Sequence, residues 1–395
     1  MVIKHKLRIV YHGVRKYLWA CKYSKFNTKK TLDLNNQKKI VVVSHSAIHG
    51  GAPVLAHHIV RQLKEIGYTV AVVILEYGDM TEEYCKDNTC YFCLNNLSLK
   101  RVAKKLRIEG FEKCICNSAL SGYAAKILSA SGFEVISLVH ELPGVLEAMN
   151  GKNKAQAAIN NSKAIVFPSS VVKEAFLNII SNDNNTKSHI RPQGIYLVPD
   201  KHLDKITARA FIEKEYNTKL KSKVVLNVAS VSSRKGFDLF LDMASKCSEI
   251  QFIWVGIKQS SYYFKCIEDY GGAIPDNLLE IGYINDANKL FAIYHAADIF
   301  ALTSREEPMG TVVLEAFSAG LPVIAFKNRG GFVDVIKNGV NGFLIDKLDS
   351  NDMLRGIKHY FSKDSAYIER MCDNCNECAS SMSFEKYVRY LVDLF

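Results

Sequence analysis

Short, unbroken apolar runs rich in β-branched residues recur along this chain, with stretches of helical character between them. Lys39–Ser44 (KIVVVS), Thr69–Leu75 (TVAVVIL), Lys113–Cys116, Val135–Val139 and Ala164–Phe167 form a first series. A Gly-Gly turn follows the first run, and a helix is expected from about Pro53 to Ile66. A strand apolar at every position, not at alternate ones, is buried on both faces, and strands alternating with helices predict a parallel sheet covered on both sides. Residues 176–191 are polar and asparagine-rich, which predicts a surface loop. A second series begins near residue 223: Val224–Val228, Phe252–Val255, Ile299–Leu302, Val323–Phe326 and Phe343–Ile345, with 193–222 as the connection. At 395 residues the chain exceeds one ordinary core. The pattern therefore predicts an α/β protein of two doubly wound, Rossmann-like parallel-sheet domains facing a cleft. The expected division is an extension over 1–38, an N-terminal domain over 39–195 and a C-terminal domain over 196–375. A last helix within 376–395 is expected to pack back on the N-terminal domain.

The net charge of +11 suggests a polyanion partner until it is located. Residues 1–40 hold eleven basic residues against Asp33 alone, so this arm carries +10 and the remaining 355 residues are nearly neutral. Ile3, Leu7, Val10, Val14 and Leu18 recur at helical spacing among those cations, with Tyr11, Tyr17 and Trp19 nearby. A basic amphipathic helix of this kind suits the headgroup zone of an anionic membrane, through residues 1–30. The alternative is a helix that packs its apolar stripe on the body and solvates its lysines. Nucleic acid is not expected as a partner, since no stacking platform or reading motif accompanies the charge. No apolar run reaches the ~18 residues of a membrane span, and no secretory signal pattern opens the chain. A cytoplasmic protein at the inner face of the membrane is the expectation. The eleven scattered cysteines then read as reduced thiols. Cys372, Cys375 and Cys378 have ligand-like spacing but no fourth partner, and the residues between them suit a helix.

Two doubly wound domains usually handle nucleotides. The dinucleotide fingerprint G-x-G-x-x-G is missing after the first strand, which reads Ser44-His45-Ser46-Ala47-Ile48-His49-Gly50-Gly51, and a Walker loop is missing too. The chemistry concentrates instead in Thr303–Leu321 (TSREEPMGTVVLEAFSAGL). There a strand ends in a short loop and a helix runs from about Gly310 to Ser318, its N-terminus aimed at the carboxyl edge where open α/β sheets bind ligands. Backbone N–H groups of Gly310, Thr311 and Val312 are suited to a diphosphate. Glu307 and Glu315 are suited to accept hydrogen bonds from vicinal hydroxyls. Acidic residues and proline also open helices for reasons of capping and dipole alone. Two neighbouring segments add weight: Asn227–Gly236 (NVASVSSRKG), with Arg234 and Lys235 before a second helix, and Asn328–Asp334 with Gly330-Gly331, a pair suited to close backbone approach to a ligand.

These segments together resemble the retaining glycosyltransferases of family 4, which have the GT-B fold. The similarity rests on Glu307-Pro308-Met309-Gly310 with Glu315 in E-x7-E spacing, on Gly320-Leu321-Pro322-Val323, on Gly330-Gly331 and on Asn338-Gly339-Val340-Asn341-Gly342. In the N-terminal half Gly50-Gly51-Ala52-Pro53 resembles the family's acceptor-side loop, and His140-Glu141 its histidine-plus-acid strand end. The resemblance implies that Glu307 contacts donor-sugar hydroxyls, Glu315 the ribose, and Arg234 and Lys235 the diphosphate. It sets His140 near the reacting centre, as a group that orients hydroxyls or steadies developing charge, and Gly50 and Gly51 on the acceptor side. Ser230 stands where the family often carries an arginine five residues before the loop lysine, with Arg234 as the available substitute. Met309 replaces the usual phenylalanine.

The implied reaction moves a sugar from a nucleoside diphosphate to a saccharide acceptor, expected to be lipid-linked, in surface-polysaccharide synthesis such as O-antigen or capsule. No Asp-x-Asp pair stands in a suitable loop, so no metal and no cofactor beyond the donor are expected. A GT-B-fold epimerase or phosphorylase, or a non-catalytic membrane-associated scaffold, would share the architecture.

Overall fold

The computed structural model describes residues 32–180, 187–197, 203–258 and 261–395. Most of the extension, residues 1–31, and with it the expected amphipathic arm, lies outside the described residues. The chain divides into two compact units. One comprises the residues up to Pro168, Val172–Arg191 and Glu385–Phe395, and the other comprises Ser169–Val171 and Pro192–Phe384.

The first unit is built on seven parallel strands: β1 (Lys39–Ser44), β2 (Thr69–Ile74), β3 (Thr89–Phe92), β4 (Lys113–Asn117), β5 (Glu134–Leu138), β6 (Ala164–Phe167) and β7 (Ser188–Ile190). Their spatial order is β3-β2-β1-β4-β5-β6-β7. Val41, Val42 and Val43 of the central strand β1 have no exposed surface, because helices cover both faces. One of these helices, Gly51–Glu65, buries Leu55, Ala56, Ile59, Val60 and Leu63, a stripe at helical spacing. The last helix, Phe384–Asp393, turns Tyr387, Val388 and Leu391 inward, and the residues from Glu385 onward group with this unit.

The second unit repeats the plan with β8 (Val224–Val228), β9 (Gln251–Val255), β10 (Leu278–Ile281), β11 (Ile299–Leu302), β12 (Val323–Phe326) and β13 (Gly342–Ile345), in the order β10-β9-β8-β11-β12-β13. One face of its sheet is packed by Phe237, Phe240, Phe252 and Trp254, whose rings meet edge to face at centroid distances of 5.0 to 5.3 Å. Those contacts fix the helix Phe237–Ser245, whose N-cap Gly236 directly follows Lys235.

Three strands left no apolar run to read, and all three are sheet edges. β3, β7 and β10 each pair on one side only and bury their residues incompletely. The expected loop over 176–191 is also different: the helix Ser170–Ile180 fills its start, burying Phe176 and Ile180, and β7 lies near its end. The helix Ser365–Ser381 runs through residue 376, so the change of unit falls later than that position. It carries Cys372, Cys375 and Cys378. Cys375 is buried and donates its Sγ–H to the carbonyl of Asn341 at 3.3 Å. Among the described residues no group of three or more histidine, cysteine or acidic side chains stands together as a metal site. Among them, too, no helix is long and apolar enough to cross a membrane.

Candidate functional site

In each sheet the chain runs outward in one direction from its first strand and then crosses back to the other side, so two central neighbours mark a switch point. Loops leaving the carboxyl ends of such strands diverge and open a crevice where ligands bind. In the second unit those neighbours are β8 and β11, and their loops carry Arg234, Lys235 and Glu307.

The loop after β8 is shaped by its own polar groups. Ser232 caps the short turn Ser233–Lys235 through its hydroxyl. Gly236 follows with φ 70°, and a Cβ there would stand 2.1 Å from the carbonyl oxygen of Thr303. Glycine is therefore required for the loop to lie against the end of β11. The Thr303 hydroxyl donates to the Lys235 carbonyl at 2.8 Å, and the Arg305 N–H to the Arg234 carbonyl at 2.8 Å. Arg305 also bonds the Ser233 carbonyl and grips both carboxylate oxygens of Asp238. The two loops are thus stitched into one platform.

On that platform Lys235 forms an ion pair with the Glu307 carboxylate, and both side chains are largely buried. The Arg234 guanidinium lies 3.8 Å from the same carboxylate and donates to the Glu306 carbonyl at 2.8 Å. Glu307 is held from the far side as well. Its N–H donates to the Arg329 carbonyl at 2.8 Å, and its carbonyl accepts from Gly331 at 3.0 Å. A Cβ on Gly330 would lie 2.1 Å from the Glu307 carbonyl, and one on Gly331 would lie 2.3 Å from that of Pro308. The glycine pair therefore admits this loop of the protein itself, where the sequence suggested close approach to a ligand.

Gly310, at φ 74°, turns the chain into the helix Thr311–Ser318. Among the described residues the N–H groups of Gly310, Thr311 and Val312 donate to no backbone carbonyl, so the helix start presents three donors and the positive end of its dipole. Glu315 lies one turn further in and is buried. Burial raises its pKa, and the hydroxyl of Tyr294, donating at 2.8 Å, opposes that rise. Tyr196, half-buried, lies nearby; desolvation and the Glu315 charge push its phenol up. Met309 fills the expected apolar role, 2% exposed in the core.

In the first unit the corresponding neighbours are β1 and β4. His140, after β5, sets Nε2 2.9 Å from Oδ1 of Asn117 at the end of β4. The Asn117 amide donates its Nδ2–H to the Ala52 carbonyl at 2.7 Å, so Oδ1 is the acceptor and His140 carries its proton on Nε2. Burial brings the His140 pKa down to about 4, against the pull of Glu141. The ring is neutral at pH 7, suited to orient a hydroxyl and not to act as a cation. Glu141 accepts from the N–H groups of His140 and Ala119 at 3.1 and 3.2 Å.

Sequence reasoning passed over three members of this cluster. His45 sets Nδ1 3.3 Å from the Ser118 hydroxyl, and Ser118 adjoins Asn117. The available signal was the polar Asn-Ser ending of an otherwise apolar run. His57, on the helix Gly51–Glu65, is buried with its ring 5.2 Å from that of Tyr84 and its Nδ1 3.4 Å from Glu83. Gly50 caps the helix Gly51–Glu65 with extended backbone, and a Cβ added at Gly51 meets no atom within 4 Å. Gly51→Ala is therefore expected to leave stability unchanged or slightly raised. Gly236→Ala should cost at least about 1–2 kcal/mol, from the left-handed backbone and the Thr303 contact. Denaturant unfolding of the two variants checks the contrast.

Two doubly wound parallel-sheet units, each with a polar cluster at its switch point, have the fold of GT-B glycosyltransferases. Residues 208–381, most of the second unit, match the family Glycosyl transferases group 1. An uncharacterized glycosyltransferase of Haemophilus influenzae is 26% identical over 181 residues, 45% of this chain and 50% of that protein. The chain spans about half or less of the length of the curated relatives it matches. Among solved structures, Anabaena Alr3699/HepE in complex with UDP and glucose superimposes with a TM-score of 0.74 at 19% identity, over 90% of this chain and 98% of that one. WaaG, a glycosyltransferase involved in lipopolysaccharide biosynthesis, gives 0.65 at 16% identity over 90% and 99%.

Proposed function

We propose that this chain is a retaining, metal-independent glycosyltransferase that moves a sugar from a nucleoside diphosphate to a saccharide acceptor. The observation that carries the reading is the joining of Arg234, Lys235 and Glu307 beside the open N-terminus of the helix Thr311–Ser318, with Glu315 buried one turn inside it. Departure of a nucleoside diphosphate leaves an oxocarbenium-like sugar, so charge placed on the leaving group lowers the barrier most. Lys235, Arg234 and the N–H groups of Gly310, Thr311 and Val312 supply that charge. The donor diphosphate replaces Glu307 as the partner of Lys235 and releases the Glu307 carboxylate to the sugar hydroxyls. Glu315 takes the ribose. Neutral His140 orients a sugar hydroxyl near the reacting centre, and Gly50 and Gly51 leave room for the acceptor.

The relation to the group 1 glycosyl transferases over residues 208–381 supports the reaction class. Anabaena HepE, a structural neighbour, binds UDP and glucose, which supports a nucleotide-sugar donor. The likeness to WaaG and the basic, apolar pattern of residues 1–30 support a lipid-linked acceptor in surface-polysaccharide synthesis at the cytoplasmic face of a membrane. Removing residues 1–30 should lower the membrane-bound fraction in low salt, and unchanged partitioning speaks against a role for the arm. The reaction itself is tested by incubating labelled nucleotide sugars with and without saccharide acceptors. Acceptor-dependent release of diphosphate is expected; isomerised sugar with no transfer indicates an epimerase instead.

A further inference from the structure

The helix Asn96–Ile108 reads NLSLKRVAKKLRI, with five basic residues and no acidic one. Asn95 and Ser98 cap its start reciprocally, so it is a firmly defined element of the first unit. It buries Leu99, Ala103 and Leu106 against the body and turns a different stripe outward. Leu97 is 63% exposed and Ile108 78%, with Arg101 and Lys104 between them on the same face. Lys105 and Arg107 are engaged, at 3.8 Å from Glu109 and 3.4 Å from Glu112. Lys100, Arg101, Lys104 and Lys126 have no ion pair among the described residues. Lys100 and Lys126 line one groove of about 610 Å³, with Asn96, Tyr123, Ile127 and Ala130. Tyr123 and Leu94, also exposed, extend the apolar surface beside it.

We infer that this face is a second membrane-docking surface, built into the folded body and separate from residues 1–30, and that its partner is an anionic lipid bilayer. Water serves the cations but not the exposed Leu97 and Ile108, and a nucleic acid would likewise leave those side chains without apolar contact. A bilayer surface satisfies both sets: leucine and isoleucine enter the acyl boundary while the cations meet headgroup phosphates. The groove between Lys100 and Lys126 is open to a phosphate with Tyr123 beside it. Docking there needs neither donor nor acceptor, so it stands or falls independently of the transferase reading.

The test is co-sedimentation of the full chain with vesicles of phosphatidylcholine and phosphatidylglycerol in equal parts, against vesicles of phosphatidylcholine alone. The variant K100E/R101E/K104E/K126E is compared with K214E/K219E/K221E/K347E, which makes the same change in net charge at exposed lysines of the second unit. Wild type should bind the anionic vesicles only. The helix variant should lose at least about a hundredfold in partitioning and the control less than about threefold, with both melting as wild type does. Leu97→Ser with Ile108→Ser should weaken binding about tenfold in salt that screens the charges. Absence of wild-type binding to anionic vesicles, equal losses in the two charge variants, or binding confined to a single-stranded RNA probe overturns the inference.

Discussion

Lys235→Met should lower kcat/KM about 10²–10³-fold, the usual cost of removing one group placed on developing charge in a closed site. It should also destabilise the donor-free protein, for a separate reason. Lys235 and Glu307 are a largely buried pair, with side chains 14% and 10% exposed. Removing the lysine strands a carboxylate that, among the described residues, keeps the Ser304 hydroxyl at 3.4 Å and the more distant Arg234. Breaking such a pair from one side costs about 3–5 kcal/mol, and less here to the extent that Arg234 swings over. Lys235→Met with Glu307→Gln removes the stranded charge, so it should recover most of the stability and none of the activity. Denaturant midpoints and initial rates on the same four proteins separate the two effects. Activity returning along with stability would mean that Lys235 serves the fold alone.

Glu315→Gln should move stability and activity in opposite directions. Burial raises the pKa of Glu315 in the folded state, so folding disfavours its charged form. Below the unfolded value of about 4.3 both states are protonated and the residue imposes no penalty. As pH rises through that value the wild type loses stability, and the full penalty is present once pH passes the raised folded pKa. Glutamine imposes none and still accepts from the Tyr294 hydroxyl. The stability gap between variant and wild type should therefore open from about pH 4 upward and stay open at pH 7. Activity should fall about 10–100-fold, chiefly through donor KM, because a carboxylate accepts ribose hydroxyls more strongly than an amide. A gap that stays flat across that range contradicts the buried-carboxylate account.

Legibility in the sequence followed burial. Central strands such as β1, β9 and β11 are covered on both faces, so they appear as unbroken apolar runs. Edge strands β3 and β10 mix buried and open positions, β7 buries none of its three residues fully, and all three are short and carry no period to detect. In the site, Glu307, Glu315, Arg234 and Lys235 stood out because proline, glycine and charge cluster at two strand ends. Their partners did not stand out. Tyr294 comes from a helix before β11 and Asn117 from the end of β4, each brought to its place by the fold and unmarked in its own neighbourhood. Glycine misled in one direction: at 236, 330 and 331 it is demanded by neighbouring carbonyls of the chain itself, whereas at 51 no atom of the described residues demands it.

Calorimetric titration of nucleoside diphosphates into the wild type and into Lys235→Met with Glu307→Gln, a double variant expected to keep its fold, tests whether this pair of residues receives the donor diphosphate. At least one nucleoside diphosphate should bind the wild type, more weakly as salt rises, and bind the double variant at least about 30-fold more weakly. Equal affinity for both proteins, or no binding to the wild type by uridine, guanosine, adenosine, cytidine or thymidine diphosphate, would contradict the account.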